Sequence, residues 1–268
     1  MPDVLTERAL RCLLLSSPDA KLAAVEALYA DWQRTTVLIS APNTPAQTIA
    51  IPGRPEAPAL IPPHDVKRRS IHTREGLAML VHALAHIEFN AINLALDAAY
   101  RFHGLPRDYY TDWLQVASEE ADHFRLLRDH LRTLGYDYGS FSAHDGLWQM
   151  AVKTAHDPLA RMALVPRLLE ARGLDVSPSI IAKLGKIGDT RGAEILEIIL
   201  RDEIGHVRIG NRWYEYLCMQ RGLDPAECFL QLLKEHDMAK PRPPFHKEAR
   251  RAAGFSEKEL RYLETGTH

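Results

Sequence analysis

Apolar residues recur at helical spacing along most of the chain, and no stretch shows the two-residue alternation of a half-buried strand. From about Leu5 to Trp32 the spacing predicts two short helices around a turn at Ser16-Ser17-Pro18-Asp19. Prolines at 42, 45, 52, 55, 58, 62 and 63 then exclude regular helix and central strand, so this segment is expected to cross the surface in extended form. After Thr73, a predicted N-cap, Gly76–Phe102 is apolar around most of its circumference, which predicts a helix buried on several sides. A break at His103-Gly104-Leu105-Pro106 leads to a second helix, roughly Tyr109 to Leu134, ended by Gly135.

A longer connection, 136–157, holds a predicted short helix at Leu147–Thr154. Asp157-Pro158 starts a third long helix by the N-cap and N1-proline rule and carries it to about Arg172. GLDVSPS is expected to break the pattern before a short helix at Ile180–Ile187 and a fourth long helix at Arg191–Gln220. The tail has a second proline cluster, PRPP at 241–244, and a predicted short helix at Ser256–Glu264. The fold class is therefore all-α. Two antiparallel hairpins of long helices joined by one longer crossover have the connectivity of a ferritin-like four-helix bundle. Residues 1–72 form an N-terminal helical appendage and proline-rich crossing, 73–222 the bundle, and 223–268 a C-terminal extension packing on it.

Composition changes this picture little. With 268 residues, 46% hydrophobic and 25% charged, the chain can bury a sizeable core in one large soluble domain with extensions. A net charge of −2 gives no global attraction to nucleic acid. Cys12, Cys218 and Cys228 are odd in number, widely spaced and without a CxxC pair, which fits a reducing cytoplasm and neither a disulfide framework nor a thiolate site. The N-terminus is charged at Asp3, Glu7, Arg8 and Arg11 before a very short apolar run, and no stretch is expected to approach the length of a membrane span.

The chemistry lies in two Glu-x-x-His motifs, Glu120 with His123 and Glu203 with His206, each in the middle of a predicted long helix. Residues i and i+3 share a helix face, so carboxylate and imidazole can hold one ion together. With 18 Glu and 13 His in the chain, about one such motif arises by chance, so the count alone decides nothing. The placement decides: Glu88 precedes Glu120 by 32 residues and Glu170 precedes Glu203 by 33, each on the preceding predicted helix. Glu88 sits among Leu84, Ala91, Ile92 and Ala95, where a carboxylate is costly unless paired or metal-bound. Four carboxylates and two neutral imidazoles balance two divalent cations, and they are the ligand set of di-iron and di-manganese bundles. The alternative, surface salt bridges on amphipathic helices, leaves the duplicated spacing unexplained.

Glu119 and Asp202 precede the motifs and are candidates to orient the imidazoles. His82 and His86 form an HxxxH pair that alone would suggest zinc, but they point about 200–240° around the helix from Glu88, so hydrogen bonding between elements is their expected use. GKIGDTRG, 185–192, follows no strand and makes no phosphate loop. Tyr109, Tyr110, Trp113 and Trp148 are expected in the core or at its rim.

Through HALAHIEFNAINLALD, AHDGLWQMAVKTAHDPLARMALVPRLLEARGLDV and ILRDEIGHVRIGNRW, the chain resembles the ferritin-like superfamily and, more closely, a bacterial family known as domain of unknown function 455. The resemblance covers most of the chain. It implies a ferritin-like fold and di-iron binding, with manganese as the other candidate, and suggests kinship with a ferritin-like tRNA hydroxylase acting on a modified adenosine. The expected function is an O2-dependent hydroxylase or oxidase, with O2 and a small molecule or modified nucleoside as reactants. Its competitors are a ferroxidase or peroxide-removing metal protein, and a nonenzymatic helical interaction protein with a structural metal.

Overall fold

The structure, a computed structural model, describes residues 3–39, 46–67 and 69–265. Pro42 and Pro45 of the first proline cluster lie outside the described residues. The chain is mostly helical, as its apolar pattern predicts, and divides into two compact units, Met1–Val152 and Lys153–His268.

The first unit is built on α3 (Arg74–Arg101) and α4 (Arg107–Thr133). Thr73 caps α3 as expected, its Oγ1 accepting from Gly76 N at 3.0 Å. Gly135, at φ +85°, takes the left-handed conformation that ends α4. Helices α1 (Leu5–Leu14) and α2 (Pro18–Gln33) are the predicted N-terminal pair; α1 packs on α3 and α2 on α4. Where described, the proline-rich crossing holds no α-helix, as expected, but it bends and closes in a 3-10 turn at Pro63–Asp65 rather than running extended throughout; Trp148 Nε1, on α5 (Gly146–Lys153), donates to Ile49 O and Ala50 O to hold it down. Two two-residue strands that the pattern does not announce, β1 (Asp3–Val4) and β2 (Val37–Leu38), pair in parallel. A two-residue bridge is too short to leave an alternation.

Helix α3 corrects one expectation. It is long and apolar enough to cross a membrane by length and composition, and 67% of its most apolar window is buried inside the protein. Its apolar faces pack against α1 and α4, which is the pattern of a core helix.

In the second unit, Asp157 caps α6 (Pro158–Leu164) through Leu159 N, as the Asp-Pro signal predicts. The helix then widens into a π-turn, Val165–Glu170, and continues as α7 (Ala171–Ile187). The expected break at GLDVSPS does not occur: α7 runs through Pro178. An interior proline removes one backbone bond, while Ala171, Leu174, Asp175 and Leu184 keep one face buried. Arg250, on α10 (Lys247–Ala252), supports that face with a buried ion pair to Asp175, Nε to Oδ1 at 2.9 Å and Nη2 to Oδ2 at 2.7 Å. Helix α8 (Thr190–Gln220) returns antiparallel after a two-residue turn, and α9 (Pro225–Glu235) packs on α6 and α8. Helix α11 (Glu257–Thr265) lies where the tail helix was predicted.

Candidate metal centre

In the first unit, two adjacent helices bring three of the predicted residues together. Glu88 sits mid-way along α3, and Glu120 and His123 sit one turn apart on α4. Each is at most 4% exposed. One ligand atom from each lies within 4.8 Å of the others. His123 Nδ1 is 3.2 Å from Glu120 Oε2 and 3.7 Å from Glu88 Oε2.

Burial and the neighbouring Glu120 charge push Glu88 up to about 8. Burial on its own would lower His123, but its hydrogen bond to Glu120 and the neighbouring Glu88 charge raise it to about 11. Without a cation, these shifts favour a protonated imidazole and a protonated Glu88 near neutrality. A divalent ion would replace those protons, because only the neutral imidazole and the carboxylate are ligands.

The residues pass a direct test of fit. Among the described residues, Glu88 Oε2 is buried with no hydrogen-bond partner. A buried unsatisfied carboxylate oxygen carries a desolvation penalty of about 1–3 kcal/mol or more, and a cation between three hard and borderline donors removes it.

The second unit repeats the motif. His206 is 1% exposed, with Nδ1 3.6 Å from Glu203 Oε1, and Glu203 Oε2 is likewise buried without a hydrogen-bond partner among the described residues. Glu170 closes the π-turn, which packs on α8. Glu119 accepts from Gln115 Nε2 at 2.9 Å, and Asp202 from Arg201 Nε at 2.9 Å.

The family model described as "Protein of unknown function (DUF455)" matches residues 14–261. The chain belongs to that family. An uncharacterized protein of Haemophilus influenzae is 46% identical over 260 residues, covering 94% of this chain and 90% of the relative. No solved structure matches this DUF455 chain.

The other candidates in this DUF455 chain take up structural positions. His82 Nε2 accepts from Gly139 N at 3.0 Å, and His86 bonds the Tyr138 hydroxyl at 2.9 Å and His144 O at 3.1 Å. The HxxxH pair therefore fastens the 136–145 connection to α3. Burial, and for His82 the neighbouring His86, lowers both to about 4, so both are neutral at physiological pH. Tyr109, Tyr110, Trp113 and Trp148 are all buried.

The sequence reading missed Arg167. Its guanidinium is buried in the π-turn among the rings of Tyr214, Phe229 and Phe255, at 4.7 to 5.0 Å. It bonds Asn211 Oδ1 at 2.6 Å and pairs with Glu259 of α11. No local signal marks an arginine as buried; three aromatic rings drawn from α8, α9 and the segment after α10 do that.

Proposed function

We propose that the chain is a dinuclear metal protein of ferritin-like type, with Glu88, Glu120, His123, Glu170, Glu203 and His206 as the ligands of two iron ions. The observation that carries the reading is the buried cluster of Glu88, Glu120 and His123, with a carboxylate oxygen that no protein donor satisfies. The duplicated spacing in the sequence extends it to the second triad.

Within that reading the activity is an O2-dependent hydroxylation or oxidation of an organic substrate, a small molecule or a modified nucleoside, in the cytoplasm. Ferrous ions, when bound, would supply the electrons for O2 reduction. The chain's residues do the rest. Glu88, Glu120 and His123 fix ligand positions on rigid helices, the apolar surroundings on α3 exclude water, and Glu88 and His123 release their protons to bulk as the cation enters.

The test is anaerobic reconstitution with ferrous iron, elemental analysis, then O2 consumption. About two ions per chain, with protons released on uptake and O2 consumed by the loaded protein, is the expected result. Binding near zero would discard the metal reading. Two ions without O2 uptake would leave a metal protein and discard the oxidase.

A further inference from the structure

The second triad depends on a turn of unusual winding, and the structure shows what seats that turn. Glu203, His206 and Gly210 occupy positions i, i+3 and i+7 of α8 and so share one face. On that face Gly210 has no side chain, and Pro166 fills the space: a Cβ added at Gly210 would run into the Pro166 Cβ and lie 2.6 Å from its Cγ. A proline ring cannot rotate away, so any side chain at 210 forces the two segments apart.

The register places Glu170 next. Helix α7 and α8 are joined by a two-residue turn and run antiparallel, which brings Ala171 level with roughly Val207; the two share one buried core. In a π-helix the hydrogen bonds run i to i+5, so residues four apart lie close to one turn from each other. Glu170 therefore stands about one turn from Pro166, on the side facing α8, at the level of His206. The Arg167 bond to Asn211, the residue after Gly210, fixes the same turn a second time. A glycine inside a long helix is unfavourable against alanine, and here the absent Cβ has this use.

We propose that Gly210 is a positioning residue for the second triad: by admitting Pro166 against α8 it seats the π-turn so that Glu170 meets Glu203 and His206. The inference rests on the metal reading above. It concerns only how the second triad is built.

The test titrates the full-length protein anaerobically with Co2+, followed by visible absorption, for the wild type, Gly210→Ala and the double variant Gly210→Ala with Pro166→Gly. Circular dichroism is recorded for each. Gly210→Ala is expected to keep its helix content and one ion of unchanged affinity, while the second ion binds at least ten-fold more weakly. Removing the proline ring in the double variant should restore the second ion. Equal binding of both ions by wild type and Gly210→Ala would overturn the inference while leaving the metal reading intact; no binding by the wild type would overturn both. If Gly210→Ala does not fold, the single variant Pro166→Gly decides instead: second-ion binding at least ten-fold weaker supports the seating, and two ions at wild-type affinity refute it.

Discussion

In the first helix pair Glu88 rides on an uninterrupted 28-residue α-helix, whereas in the second Glu170 ends a six-residue π-turn between two shorter helices. Glu88 lies at the centre of a helix that is buried on nearly every side. Its position follows from ordinary 3.6-residue winding, and its unsatisfied oxygen follows from burial. Glu170 depends on contacts outside its own helix: Pro166 on Gly210, and Arg167 on Asn211 and Glu259. Under the proposed metal reading, one donor is placed by local periodicity and the other by tertiary seating. The first kind tolerates change far from the site, and the second does not.

The largest expected effect comes from removing a carboxylate from either pair. Glu120→Ala or Glu203→Ala should abolish dinuclear binding and any O2 reaction, measured as metal per chain by elemental analysis. If Glu203→Ala retained both ions while Glu120→Ala lost them, the two helix pairs would not be chemical equivalents.

The next effect concerns packing of the second unit. Asp175→Ala leaves Arg250 charged and buried, and removing one partner of a buried pair costs about 3–5 kcal/mol. Chemical denaturation should show that loss. A loss below about 1 kcal/mol, the range of an exposed pair, would show that the α7–α10 contact is not held by this pair.

The smallest effect sharpens the contrast within the first unit. His82→Ala should keep both metal ions and lower stability by about 1–3 kcal/mol, since Gly139 N–H loses its buried acceptor. It should also flatten a pH dependence. His82 is held near 4 when folded and returns to about 6.5 when unfolded, so between those values the unfolded chain binds more protons. Stability therefore rises with pH across that window and is lost as pH falls through it. Unfolding midpoints of wild type and His82→Ala that stayed parallel from pH 4 to 7 would refute that assignment. Loss of metal in His82→Ala as complete as in Glu203→Ala would put the inward face of α3 elsewhere.

The long helices were legible because their signals are local: apolar periodicity, the caps at Thr73 and Asp157, and the stop at Gly135. The Glu88, Glu120, His123 grouping was legible for the same reason, as each residue keeps regular α-helical register. Helix α9 was missed although Asp224-Pro225 repeats the signal read at Asp157-Pro158. The π-turn and the passage of α7 through Pro178 left no such trace. Both depend on partners distant in sequence, among them Arg250 on Asp175 and Pro166 on Gly210. A glycine four residues after His206 was nonetheless a visible oddity inside a helix, and a packing reason was the one to seek.

The connections within each pair have a kinetic meaning. Helix α3 reaches α4 through residues 102–106, and α7 reaches α8 through 188–189, so each triad is spanned by a single hairpin. Short loops close within about 10–100 ns, and local contacts carry little loop-closure entropy. Glu88, Glu120 and His123 can therefore come together within their own hairpin early in folding, before contacts of long sequence separation such as Lys21 Nζ to Asn93 Oδ1 close the N-terminal helices onto α3, whereas the turn that carries Glu170 waits for Arg167 to meet Glu259 of α11. A nascent chain that has emerged only as far as α4 already carries Glu88, Glu120 and His123 in one hairpin.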